Sequence, residues 1–379
     1  MTTAARSEQV SAGEVLFVAF EMGNSRWKIG STIGLGQKPR EKTVQGGDVA
    51  GVLEEIERAR KRFGLGGQAQ VVSCYEAGRD GFWLHRKLVS EGVANIVIDP
   101  ASMGVDRRKK RAKTDRIDLG KLLNHLVRWH GGESKVWSVV NVPAVGDEDA
   151  RWFHREQEEL SRERTAITNR IKGLLVTQGV RIPVGSDLVE QLEGVRLWDG
   201  SRLPPQLRAR IGREHQRLEL IRAQMKELAK QRREALRRTA DVRMEQVRKL
   251  RRLRGVGDTG AWIMVMEFFA WRKFRNRRQV ASLAGLTSTP YDSGDGSRDQ
   301  GIDKAGNRRV RVVAVELAWC WLRFQPRSEL AVWFEQRFAG RGKKGRRIGI
   351  VALARKLLIA WWRYLEQDIV PAGAVLSAV

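Results

Sequence analysis

Residues 15–20 (VLFVAF) form an unbroken apolar run rich in strand-forming side chains, and 27–35 (WKIGSTIGL) takes it up again after Gly23, Asn24 and Ser25. Two short extended runs across a turn predict a hairpin. A weaker extended piece at 42–44 leads into a stretch with apolar residues at Val49, Val52, Leu53 and Ile56, the spacing of one helical face. Buried strands follow at 69–74 (AQVVSC) and 95–98 (NIVI), with a helix predicted over 81–91 between them and another over 114–129 after them. The order is therefore β-β-β-α-β-α-β-α.

Beyond residue 147 the pattern changes to long, highly charged helices over 147–178 and 203–253. Leu160, Ile167 and Leu174 recur every seven residues, as do Ile211, Leu218 and Met225, with Ile171, Ile221 and Leu228 between them. Two such helices predict an antiparallel coiled-coil arm, joined through a Pro- and Gly-rich connection over 181–205. A solvated helical linker and a dedicated dimerisation or RNA-binding arm both fit this pattern. Near residue 253 the pattern changes again. Residues 254–260 (RGVGDTG) and the apolar run after them resemble a helix-hairpin-helix turn, in which Gly255 and Gly257 would let backbone N–H groups approach a DNA phosphate. A helix over 279–286, a loop rich in Gly, Ser and Asp, and a helical region over 307–364 rich in Trp and Arg complete the chain. The divisions are 1–135, 136–250 and 251–379: an α/β domain, a helical arm and a mostly α domain.

Composition sharpens this reading. The 379 residues carry 70 Lys and Arg against 44 Asp and Glu, a net charge of +26. That excess argues against an ordinary metabolic enzyme and for a polyanionic partner, because cations that displace condensed counterions bind phosphate backbones. Two cysteines and five scattered histidines give neither a disulfide framework nor zinc spacing. The N-terminus has no signal-peptide pattern, and the richest apolar run, 348–362, is interrupted by Arg355 and Lys356, so a soluble, intracellular protein is expected.

The predicted element order matches a ribonuclease H-like fold, an antiparallel meander continued by βαβ units. Against the basic background, carboxylates at strand ends stand out. Glu21 ends the first strand, Glu76 lies just past the fourth, and Asp115 and Asp118 are three apart on one helical face. In that fold all four could converge, and their mutual repulsion would call for divalent cations. Two Mg²⁺ about 4 Å apart would clamp the attacking and leaving oxygens of a phosphodiester. The alternative is that Asp115 and Asp118 pair with Arg111, Lys113, Arg116 and Lys121 on the surface.

FVAFEMGNSRWKIG, CYEAGRDG and KRAKTDRIDLGKLL together resemble the RuvC-like domain of the DEDD transposases of bacterial insertion sequences. RGVGDTGAWIMVMEF and QVASLAGLTSTPYDSGDGSRDQGIDKAGNRRVRVVAVELAW resemble that family's second domain, so the likeness covers most of the chain in order. The resemblance implies a metal-binding tetrad of Glu21, Glu76, Asp115 and Asp118, and a nucleophilic serine at Ser293, acting together in a composite site between protomers. It further implies donor and target DNA, a structured guide RNA, a dimer assembling to a tetramer, and a bacterial cytoplasm with nucleoid association. The family's first acid is Asp; Glu21 is one methylene longer, and Mg²⁺ geometry is strict.

On its own residues the serine needs help. A hydroxyl requires a base or metal to become a nucleophile, and no histidine is near Ser293 in sequence. Ser-Gly is also an ordinary turn pair, and Ser288 and Ser297 are local competitors. Lys304, Asn307, Arg308, Arg309 and Arg311 in KAGNRRVR would meet phosphate at a helix start, and 341–347 (RGKKGRR) reads as a mobile phosphate-binding loop. Trp319, Trp321, Trp333, Trp361 and Trp362 read as core. Two further functions compete with a recombinase: a RuvC-like structure-selective nuclease that needs no serine, and a nucleic-acid-binding protein with a degenerate tetrad.

Overall fold

A computed structural model describes residues 15–103, 115–237, 240–293 and 296–377, apart from the side chains at 115–117, 291–293 and 297–299. The chain divides into two compact units, Met1–Val142 and Pro143–Val379.

The first unit holds β1 (Val15–Met22), β2 (Arg26–Thr32), β3 (Arg40–Gln45), α1 (Val49–Arg62), β4 (Gln70–Glu76), α2 (Trp83–Ser90), β5 (Ala94–Ile98) and α3 (Asp115–His130). The strands form one mixed sheet in the order β3-β2-β1-β4-β5. β2 is antiparallel to β1 and β3, whereas β1, β4 and β5 run parallel. β1 lies at the centre, which explains its uninterrupted apolar run, because a strand covered on both faces has no polar side. Leu16, Val18 and Phe20 pack under α1 and α2 with Val52, Ile56, Leu84 and Leu88. Val15, Phe17 and Ala19 face the other way, onto Leu119, Leu122, Leu123 and Leu126 of α3. Gly30 in β2 lets α3 settle onto the sheet: a Cβ there would stand 2.9 Å from side-chain carbons of both Leu119 and Leu123.

The second unit begins with α4 (Val145–Asp149), α5 (Trp152–Val176), α6 (Leu188–Gly194) and α7 (Pro205–Arg237). α5 and α7 are antiparallel. Arg170 donates to Glu214 at 2.7 Å, while further back on α5 Gln157 accepts from Arg232, further on along α7. Their shared core uses Leu160, Ile167, Ile171 and Leu175 against Ile211, Leu218, Ile221 and Leu228, with Leu174 and Met225 only half-buried. The Pro- and Gly-rich connection is packed, since Leu188, Leu192 and Leu203 join the same core.

The helical pattern over 203–253 is broken after α7, and α8 (Val242–Arg251) starts afresh. Asp241 caps it, accepting from the Arg243 N–H at 2.9 Å. Then come α9 (Asp258–Met264), a π-helical turn (Val265–Phe269), α10 (Arg277–Leu283), β6 (Ser288–Ser293), β7 (Gly296–Ile302), α11 (Arg308–Phe324), α12 (Glu329–Phe338) and α13 (Gly342–Gln367).

Three expectations change here. The Gly/Ser/Asp-rich loop is instead the antiparallel hairpin β6–β7. Residues 342–347 are not a loop but the first turns of α13. Of the five tryptophans read as core, Trp321 and Trp361 are fully buried with rings 6.3 Å apart, but Trp319 is exposed. Among the described residues no helix is long and apolar enough to cross a membrane.

Candidate active site and nucleic-acid interface

Phe20 on β1 is paired in register with Tyr75 on β4, so the next residues, Glu21 and Glu76, stand side by side at the carboxyl ends of two parallel strands. Both are half-buried. They line one cleft of about 390 Å³, into which Asn24 and Asp80 also face. Asp80 is a third carboxylate that the sequence reading passed over. Its signal was its place four residues after Glu76 in a Gly-bearing loop, and its own contact is Arg79 at 3.6 Å.

α3 brings the other acids toward this end of the sheet. Leu119 packs on Gly30, which is level with Ala19 near the end of β1, whereas His130 at the far end of the helix meets Phe17 with ring centroids 5.2 Å apart. The first turn of α3 is therefore directed toward the carboxyl end of β1. Asp118 is half-buried there and pairs with Lys121 at 3.3 Å. Asp115 starts the helix, and its side chain lies outside the described residues. Among the described residues no three acid, His or Cys side chains are grouped closely enough to hold a metal. The Cys74 thiol in the adjacent strand is buried, and burial together with the Glu76 charge pushes its pKa up, so it stays protonated and inert.

In the second unit Ser293 is the last residue of β6, paired with Gly296, while Ser288 lies at the other end of the strand opposite Ile302. Ser297 lies opposite Asp292, and the 291–293 and 297–299 side chains are outside the description. The foot of this hairpin is tightly fixed. Asn307 donates its N–H to the Leu283 carbonyl at 2.9 Å, and a Cβ on Gly306 would collide with that carbonyl at 2.3 Å. Arg311 donates to the Ala284, Lys304 and Gly306 carbonyls.

A buried carboxylate organises the same region. Glu267, in the π-helical turn, is wholly inaccessible. Its Oε1 contacts His154 Nε2 and accepts from Arg155 Nε, both at 2.8 Å; its Oε2 accepts from Arg155 Nη2 at 3.1 Å and Asn307 Nδ2 at 3.2 Å. Burial alone would raise its pKa, but the His154 and Arg155 hydrogen bonds outweigh that and hold it well below the usual carboxylate range. Arg272 donates to the Glu267 carbonyl oxygen at 2.7 Å, and burial pushes its own pKa down to about 10. Sequence reasoning missed Glu267. Its one local signal was a lone acid inside IMVMEFFAW.

The predicted phosphate contacts divide. Asn307 caps α11, accepting from the Arg309 and Val310 N–H groups, so two of the helix-start donors are already used. Arg309 pairs with Glu158 at 2.8 Å and Arg311 is spent on carbonyls. Lys304 and Arg308 are exposed. Gly255 has φ +90° and sits so close to α11 that a Cβ would lie 3.2 Å from the Cys320 oxygen, which accounts for the glycine without a ligand. Gly257 precedes α9 with open space around it.

A basic chain with a mixed α/β unit and a helical unit matches proteins that move DNA. The chain is 40% identical over 377 residues, 96% of its length and 94% of the relative's, to "Putative transposase y4rJ" of Sinorhizobium fredii. It is 28% identical over 212 residues to "Transposase for insertion sequence element IS1328" of Yersinia enterocolitica, covering 55% of this chain and 60% of that one. The family model described as "Transposase IS116/IS110/IS902 family" matches residues 247–332. The chain belongs to the IS116/IS110/IS902 family of transposases.

Proposed function

We propose that this transposase cuts and rejoins DNA strands by transesterification through Ser293, with Glu21, Glu76, Asp115 and Asp118 forming a Mg²⁺ site in a ribonuclease H-like first unit. The observation that carries the reading is the in-register pairing of β1 and β4, which sets Glu21 beside Glu76 at a cleft. The direction of α3 and the strand order β3-β2-β1-β4-β5 add support.

The donor set suits the ion. Carboxylate oxygens are the hard ligands Mg²⁺ prefers, and Asp80 offers one more at the same cleft. When bound, the metal would supply charge neutralisation at the reacting phosphodiester. The chain's own residues do the rest. Ser293 Oγ forms a bond to phosphorus as the bond to one deoxyribose oxygen breaks; the serine proton leaves, and the freed oxygen takes one up. The phosphodiester energy is kept in the serine ester, so a new strand end can reverse the step without an outside energy source. Lys304 and Arg308 offer cations to DNA beside the hairpin's foot. A guide RNA, a higher-order oligomer of dimers, an α5–α7 coiled coil and a nucleoid-associated bacterial cytoplasm belong to the same reading.

The test is a denaturation-resistant protein–DNA adduct. The unmodified protein forms it in Mg²⁺, and Ser293→Ala does not. An adduct persisting in Ser293→Ala would move the role to Ser288 or Ser297. Nicking without any adduct would replace the reading with a hydrolytic nuclease.

A further inference from the structure

The start of α13 carries positive charge that the fold does not answer. Between residues 337 and 347 the sequence RFAGRGKKGRR holds Arg337, Arg341, Lys343, Lys344, Arg346 and Arg347, with no acid among them. None of the six has a carboxylate partner among the described residues. Some surface cations elsewhere in this unit are matched, as Lys249 is by Asp368, Arg251 by Asp258 and Arg309 by Glu158. The cluster is also held in place. Arg341 lies over the Phe338 ring at 5.7 Å and Arg346 over Phe334 at 5.9 Å. Gly349 brings α13 against α12 so closely that a Cβ would sit 2.5 Å from the Phe338 ring. Lys343, Lys344 and Arg347 are exposed, and Gly340 and Gly342 leave open space between the two helices.

Six like charges gathered at the end of α12 and the first turns of α13 repel one another, and no carboxylate among the described residues pairs with them. A surface with this arrangement is stabilised by an external polyanion that approaches closely, and the side-chain-free glycines permit close approach. We infer that the α12–α13 corner, Arg337 to Arg347, is a nucleic-acid phosphate-binding surface separate from the strand-transfer residues. It takes over the role that the start of α11 largely gives up, since Arg309 and Arg311 are committed within the protein. Recognition here is of backbone charge and carries no base sequence.

This inference rests on the family's action on DNA, and its test is a salt titration of binding by the full chain. The probes are a 40-base-pair duplex DNA of arbitrary sequence and a 40-nucleotide unstructured single-stranded RNA. For duplex, Lys343→Ala/Lys344→Ala/Arg347→Ala should make the log Kd against log salt slope shallower by about 2.7, so that between 50 and 200 mM salt the parent loses roughly fortyfold more affinity than the variant. For the single strand the change should be about 2.1. The arm that shifts identifies which nucleic acid the corner holds. Lys343→Gln/Lys344→Gln keeps both apolar stems and should shift the duplex slope by about 1.8. A steep parent slope that neither variant alters on either probe overturns the inference. A parent slope near zero on both probes would instead overturn the DNA-binding premise itself.

Discussion

Glu21 with Glu76, and Glu267, are carboxylates placed in opposite ways. The first two stand half-buried at strand ends and open into a cleft. The third is wholly enclosed and is met by His154, Arg155 and Asn307 from two other parts of its unit. A buried charge is tolerable only when its hydrogen-bonding capacity is filled, and a filled carboxylate has nothing left for a ligand. Two carboxylates side by side repel each other, which costs stability unless something positive is to be bound. Under the proposed reading the first pair serves chemistry, while the filled contacts of the single acid serve architecture.

Substitutions can break that distinction. Glu76→Gln should lower strand transfer by roughly 10³-fold or more, the scale seen when one member of a group acting as a unit is lost. Thermal unfolding and DNA affinity of that variant should be unchanged; a large stability loss would put Glu76 on the architectural side. Glu267→Leu should do the reverse. It leaves the buried His154 and the half-buried Arg155 without their carboxylate and should cost about 3 kcal/mol of unfolding free energy in denaturant titration. An unchanged midpoint would show that the network contributes nothing.

The same contrast has a pH signature. Glu267 is depressed in the folded state, so the unfolded chain binds more protons in acid and stability rises with pH. The contribution is fully present above the ordinary carboxylate value of 4.5 and is lost as pH falls below it. Melting temperature followed from pH 6 to pH 3 should fall less in Glu267→Gln than in the parent, and parallel curves would remove Glu267 from the account. The smallest effect is expected from Glu21→Asp, which supplies the shorter acid that the resemblance implies at this position. It should keep or raise activity severalfold at most. Complete loss would mean the cleft is built around the longer side chain.

Most of the first unit could be read from the chain because its signals are local. The unbroken apolar run VLFVAF, the 3.6-residue spacing after Val49 and the short apolar strands placed each element within a few residues of where it lies. The second unit was less legible where its order comes from distant partners. β6 and β7 (STPYDS and GSRDQGI) have no apolar face to announce a strand, and the hairpin is fixed instead through Asn307, Gly306 and Arg311 at its foot. The Glu267 contact with His154 spans 113 residues, which no window of sequence displays. The basic run at 341–347 looked like a loop because two glycines obscure a helix that α12 packing stabilises.

Gly30 acts as a spacing gauge between a sheet and a helix. The missing Cβ sets how close α3 rides to β2, and one of the two leucines that would meet it, Leu119, directly follows Asp118 in the chain. A residue with no functional group, on a strand that contributes no acid to the cleft, thus sets the height at which an acidic helix turn meets the strand ends. Even one methyl group at position 30 would lift that turn by a fraction of an ångström, a change small for the hydrophobic core but large on the scale of a metal–oxygen bond. Evolution can therefore retune the reactivity of such a cleft from beneath, leaving every acid unchanged.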